Sequence, residues 1–190
     1  MWERTILSNA NLPWPYNLYF DIFAILLILI VGVPTIYAMW FGAPWVPTPM
    51  RAVRIMLKEA KLKKQQTAYD LGCGDGRLVI EASKISGVKG IGFEISTPVY
   101  VLALIRNLIN GFKAKILLKS FWRYDISDAN VVFLYLLPKS MKKLKLKFEK
   151  ELKKGTLVIS YAFKIDGLKL EKKIERDRER NICPIWIYKI

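Results

Sequence analysis

Asp70, Gly72, Gly74, Asp75 and Gly76 sit at alternating or adjacent positions, and Glu94 follows 22 residues after Gly72. They belong to the run Tyr69-Asp70-Leu71-Gly72-Cys73-Gly74-Asp75-Gly76-Arg77. Residues 66–71 read as a buried strand. Residues 77–85 read as a helix that turns Leu78, Val79 and Ala82 inward. Three alternate glycines between a strand and a helix make a loop that can cradle a nucleotide. Without a Cβ, glycine accepts positive φ and lets the backbone approach a ligand. The helix start then offers unpaired N–H groups to it. An acid at the tip of the following strand, roughly 20 residues on, suits a ribose hydroxyl. A nicotinamide dinucleotide loop would run G-x-G-x-x-G/A, whereas Arg77 directly follows Gly76 here. The plain alternative is a tight structural turn in an α/β domain.

Composition narrows the chemistry. The 190 residues leave room for one domain and an appendage, and they contain no histidine and two cysteines. Ser-His-Asp and Cys-His catalysis are thereby excluded, and no zinc site is expected from two cysteines and carboxylates. Cys73, inside the glycine loop, and Cys183, in an apolar run, read as reduced structural residues.

The elements that must position the loop follow in order. Residues 43–49, Ala-Pro-Trp-Val-Pro-Thr-Pro, form a connector too proline-rich for a helix. Thr48 is placed to cap a helix over 50–60, with Pro49 at its first position. After the glycine loop come a strand at 90–94 and a helix over 97–110 stopped by Gly111. Strands at 114–118 and 130–136 follow, then a basic helix over 139–152 closed by Gly155. Strands at 156–163, 168–174 and 184–190 end the chain, the last two joined by a charged turn. Alternating strands and helices predict an α/β, Rossmann-like parallel sheet with helices on both faces and a closing antiparallel hairpin.

Residues 22–41 carry no charge over twenty positions, enough for a membrane-spanning helix. Trp14, Tyr16 and Tyr19 on one side, and Trp40 and Trp45 on the other, suit interfacial belts, and Pro34 would kink the span. A cleaved signal peptide fits less well, because the apolar run is long and starts late. A buried helix of a soluble domain is the other alternative. Residues 1–45 have a net charge of −1 and the rest +16. The positive-inside rule then leaves the large domain cytoplasmic, single-pass anchored and attracted to anionic headgroups. The expected organisation is a short segment at 1–21, a transmembrane helix at 22–41, a connector at 42–49 and a catalytic domain at 50–190.

The spacing Asp-x-Gly-x-Gly-x-Gly, with Glu94 after it, resembles motif I of the class I S-adenosylmethionine-dependent methyltransferases. Two further stretches narrow the resemblance. One is the lead-in Trp45-Val46-Pro47-Thr48-Pro49. The other comprises Phe121-Trp122, Asp125 and Val131-Val132-Phe133, followed by Pro138. Together they resemble the protein lysine methyltransferases that include the mitochondrial ATP synthase c-subunit and adenine nucleotide translocase enzymes and a smaller archaeal relative. The match covers about residues 44–163. The resemblance implies S-adenosyl-L-methionine as cofactor, with Asp70, Gly72, Gly74, Asp75 and Gly76 on the methionine side and Glu94 on the ribose. It assigns the adenine to Ser120 and Phe121. Ser120 departs from the family's usual Asp or Asn at this place and carries no charge.

The expected reaction is methyl transfer to a lysine ε-amine of a protein, membrane-embedded acceptors included. Thr48 is a candidate to close over the cofactor and Tyr135 to contact the amine, against the alternatives of a helix cap and a core aromatic. Asp125 and Asp128 read equally as turn or site residues. No nucleic acid is expected, because Leu134-Tyr135-Leu136-Leu137-Pro138 lacks the polar residue that holds a base amine in DNA and RNA amino-methyltransferases. A lipid or quinone methyltransferase at the membrane surface, and an inactive membrane-bound scaffold, remain as alternatives.

Overall fold

The computed structural model describes residues 18–33, 36 and 45–190. Seven strands form one sheet in the order β3-β2-β1-β4-β5-β7-β6. These are β1 (Thr67–Leu71), β2 (Lys89–Glu94), β3 (Lys115–Leu118), β4 (Val131–Leu134), β5 (Leu157–Tyr161), β6 (Leu170–Ile174) and β7 (Ile185–Lys189). The first five pair in parallel, and β7 inserts antiparallel between β5 and β6. The α/β, Rossmann-like sheet expected from the alternation is therefore present, with its closing hairpin. β1 is buried throughout because β2 and β4 flank it and helices cover both faces.

Side chains alternate between the two faces of the sheet, as strand geometry requires. Tyr69, Leu71, Phe93, Val132, Leu134 and Val158 meet α5 (Pro138–Glu151) through Leu144 and Phe148. On the other side Ala68, Val131, Phe133 and Ile159 meet α2 (Met50–Ala60) through Ala52, Val53 and Met56, and α3 (Arg77–Ser83) through Leu78 and Ala82. The fourth helix, α4 (Thr97–Ile109), joins a smaller cluster with α3 and β3 through Ala103, Val79, Ile80 and Ile116. The chain leaves β1 toward β2 on one side and reaches β4 on the other. That reversal opens a crevice at the carboxyl ends of β1 and β4, where open α/β sheets bind ligands.

Two local expectations are corrected. α2 starts at Met50 after Pro49 with no side-chain cap, so Thr48 is not its cap. The basic helix ends at Glu151, with an extended Leu152 after it. Gly155 instead serves the turn into β5, at φ +94°, and donates its N–H to the Ile190 carbonyl at 2.7 Å.

The N-terminal helix α1 (Leu18–Leu27) runs into a π-helical turn over Ile28–Gly32, and neither has a buried residue. Among the described residues no helix is long and apolar enough to cross a membrane. The transmembrane helix expected over 22–41 is therefore not shown. Its positions 34, 35 and 37–41 lie outside the described residues, as do Trp14, Tyr16 and the kink expected at Pro34.

Candidate active site

The register of the central strands assembles the site. Asp70 pairs with Gly92 of β2 and Phe133 of β4, so the three strands end together. The glycine loop rises from β1, and Glu94 ends β2 beside it. A cavity of about 400 Å³ opens there, a size suited to a small-molecule cofactor. Thr48, Asp70, Gly72, Gly74, Asp75, Glu94, Ser120, Phe121 and Tyr135 all line it. Gly76 does not. It lies behind the loop at φ +75°, where a Cβ would come to 3.0 Å from Ile116, so its role is the tight entry into α3.

Gly74 has φ +58°, and a Cβ there would lie 3.0 Å from the Trp45 indole. The lead-in thus packs onto the glycine loop, and only a glycine lets the ring this close. Trp45, read in the sequence both as interfacial and as part of the lead-in, is part of the cavity wall. Arg77 fixes the arrangement. Its Nε and Nη2 bond the Asp75 carboxylate at 2.9 and 2.7 Å, and its Nη1 donates to the Thr48 carbonyl at 2.9 Å. Arg106 of α4 reaches the same carboxylate at 2.9 Å. Asp75 is buried, which works against its charge, but the two guanidiniums hold its carboxyl below the usual range. Its charge is consumed in this clamp, so Asp75 positions the loop rather than presenting a free carboxylate to a ligand.

Glu94 is tied down as well. It accepts N–H bonds from Gly74 at 3.0 Å and from Ile95 and Ser96 at 2.8 Å each. Burial nevertheless raises its pKa. Asp70, deeper still, is pushed up to about 8 by burial and by the neighbouring Glu94 and Asp75 carboxylates. Burial and the Asp70 charge likewise push the Cys73 thiol up, which leaves it no thiolate character and fits the structural role expected of it.

Much of the remaining lining is apolar and aromatic, with Phe121, Trp122, Leu134, Tyr135 and Leu136. Tyr135 packs edge-on to Tyr161 at 4.9 Å and lies 6.2 Å from Phe163. Asp125 and Asp128 are outside. Asp125 accepts from the Ser127 N–H and hydroxyl, and Asp128 accepts from the Tyr69 hydroxyl at 2.7 Å. Ser96 belongs to no motif in the sequence, yet its Oγ is buried in the cavity wall without a partner among the described residues. Its only signal there is adjacency to Glu94. The Arg77–Asp75–Arg106 clamp has no sequence signal either, because Arg106 is brought to the loop by packing alone. No cluster that could hold a metal ion occurs among the described residues.

These features suit a ligand that is cationic at one end and an aromatic base at the other. The buried carboxylates favour positive charge, the close backbone at Gly74 admits a chain, and Phe121 and Trp122 provide flat apolar surface. The fold and the cavity define a class I S-adenosylmethionine-dependent methyltransferase. Comparison with known proteins agrees. Residues 70–172 match the ANTKMT methyltransferase domain, and the chain belongs to that family. A protein-lysine N-methyltransferase of Saccharolobus islandicus (strain REY15A) is 41% identical over 150 residues, 77% of this chain and 93% of that protein. The ATP synthase c-subunit lysine N-methyltransferase of Rattus norvegicus is 30% identical over 122 residues, 63% of this chain and 56% of that protein. Among solved structures, an RNA methyltransferase from Salinibacter ruber bound to S-adenosyl-L-homocysteine has a TM-score of 0.69 and 33% identity, covering 76% of this chain and 94% of that one.

Proposed function

We propose that the enzyme methylates lysine ε-amines of proteins, with the chain held at a membrane by its N-terminal apolar segment. One observation carries the choice of acceptor. Where β4 ends, the cavity is lined by Leu134, Tyr135 and Leu136, with no carboxamide or carboxylate after β4 to hold the amine of a planar base. An alkyl-amine fits such a wall. The 41% identity to a protein-lysine N-methyltransferase, along nearly all of that protein, supports the same acceptor.

Bound S-adenosyl-L-methionine supplies an electrophilic methyl group on a positively charged sulfur. The residues do the rest by placement. Asp70, Gly72 and Gly74 would hold the methionine end, and Glu94 the ribose. Ser120 and Phe121 would flank the adenine, and Thr48 would close over the cofactor through the lead-in that Arg77 pins. The lysine must arrive neutral. Its free pKa of about 10.4 falls in an apolar channel, because burial penalises the ammonium. Burial, and next the nearby Cys183, raise the Tyr135 pKa, so its hydroxyl keeps its proton and orients the amine rather than acting as a base. In-line displacement then needs orientation and exclusion of water rather than a covalent intermediate.

RNA is the second reading. The net charge of +15 and the likeness to the Salinibacter ruber RNA methyltransferase favour it. Membrane attachment rests on the twenty uncharged residues at 22–41 and on the described helix there, which buries nothing. The test is methyl transfer from tritiated S-adenosylmethionine by the full detergent-solubilised chain, with membranes, RNA and lipid extract from the source cell as acceptors. Label mapped to lysine, and lost with Glu94→Gln, supports the proposal. Label in RNA or in the lipid extract alone replaces it with the nucleic-acid or lipid reading.

A further inference from the structure

α4 is built inside out. Its buried residues are Val99, Ala103 and Asn107, whereas Val101, Leu102, Ile105, Leu108 and Ile109 face outward. Their spacing places them on one face of the helix. Ile105 is 50% exposed and Ile109 78%, and Phe112 just beyond the helix is 65% exposed. No charged side chain interrupts this face. The charges in its own stretch of chain are all of one sign. Between Ser96 and Tyr124 the chain carries Arg106, Lys113, Lys115, Lys119 and Arg123, and no Asp or Glu. Arg106 is committed to Asp75, but the other four are exposed around the edge strand β3.

We infer that this face of α4 docks in the plane of an anionic lipid surface, with the apolar stripe in the acyl boundary and Lys113, Lys115, Lys119 and Arg123 at the headgroups. An apolar stripe whose flanking chain carries exposed cations and no carboxylate is a pattern that anionic bilayers bind. A second copy of the chain would bring the same cations rim to rim, at a cost in repulsion. The N-terminal apolar helix does not cover the face either, since Leu18–Gly32 buries no residue. The consequence for the site is geometric. Pro98, Val99 and Leu102, at the start of α4, also line the active cavity. Docking through α4 therefore brings the cavity rim to the membrane, where an acceptor at the bilayer surface can reach it. The inference rests on the membrane reading above and adds a second contact to it.

The experiment uses the full chain carrying Cys183→Ser, with a nitroxide attached at Ile105→Cys or, on the opposite sheet edge, at Glu171→Cys. Binding of S-adenosyl-L-homocysteine verifies that each labelled chain is folded. The chains are incorporated into phosphatidylcholine vesicles with or without phosphatidylglycerol. With the anionic lipid, the label at 105 should lose access to a water-soluble nickel chelate and keep access to oxygen. The label at 171 should remain open to both. Adding Ile109→Glu should restore nickel access at 105 while the chain still sediments with vesicles. A chain that sediments with vesicles but keeps nickel access at 105 overturns the docking and leaves the N-terminal attachment standing. A chain that does not sediment at all removes both. Shielding at 105 that needs no vesicles and grows with protein concentration assigns the face to a second copy and overturns the lipid.

Discussion

Asp70 illustrates how a single residue couples binding to pH. Its pKa near 8 reflects burial first, and then the charges of Glu94 and Asp75. A carboxyl whose folded pKa is raised lends stability that is complete below its unfolded value of about 3.9. That stability is lost as pH rises through about 8. The ligand-free chain should therefore melt at progressively lower temperature over that window, and Asp70→Asn should flatten the trend. A cationic cofactor favours the ionised form, so its affinity should climb with pH up to about 8 and then level off. Calorimetry in buffers of different ionisation enthalpy would detect the released proton. Gly74→Ala tests the close approach of Trp45. Its φ of +58° and the 3.0 Å contact predict a stability loss of about 1–2 kcal/mol, read by urea unfolding, with weakened cofactor binding. Tyr135→Phe should keep cofactor affinity and lower kcat about tenfold, the worth of one hydrogen bond to the amine.

At the scale of elements, the clamp of Arg77 and Arg106 on Asp75 joins the lead-in, the glycine loop and α4. The Arg77 and Asp75 side chains are 18% and 6% exposed, so Arg77→Ala leaves a largely buried carboxylate with a single, half-exposed partner. A loss of about 2–3 kcal/mol is expected, measured by chemical denaturation, and cofactor affinity should fall with it as the lead-in detaches. Most elements were legible because their patterns are local. β1, α2, α4 and the closing hairpin each show their period, glycine stop or proline start in a short window. Thr48 misled because its type suits a cap, while its carbonyl is taken by an arginine 29 residues away. Gly155 misled in the same way, since a glycine after a helix looks alike whether it ends the helix or turns the chain into the next strand.

For the whole molecule, cofactor binding and folding are one equilibrium. A ligand at a hundredfold excess over its Kd stabilises the native state by about 2.7 kcal/mol. For a chain of 190 residues, saturating S-adenosyl-L-homocysteine should then raise Tm by roughly 5–10 °C, as read by scanning calorimetry. The apolar stripe of α4 belongs to this scale too. Its periodicity in the sequence is that of an ordinary amphipathic helix, and periodicity alone cannot say which face meets the core. Only the packing of Ala103 and Asn107 inward turns the stripe out.

The run from Asp70 to Arg77, with Glu94 beyond it, determined by itself that a strand, a glycine loop and a helix would cradle a nucleoside cofactor. Those residues are few, close in the chain and chemically constrained. The alternation of strands and helices determined the sheet. Tertiary structure alone decided which residues share the cavity with them. Trp45 came to lie on Gly74, Arg106 on Asp75, and Ser96 with its hydroxyl in the wall. It also set Gly76 against Ile116, outside the cavity lining, and left the face of α4 open. Each of these depends on contacts between segments distant in the chain, and on side-chain volumes that meet only when the sheet closes, and no local pattern carries that information.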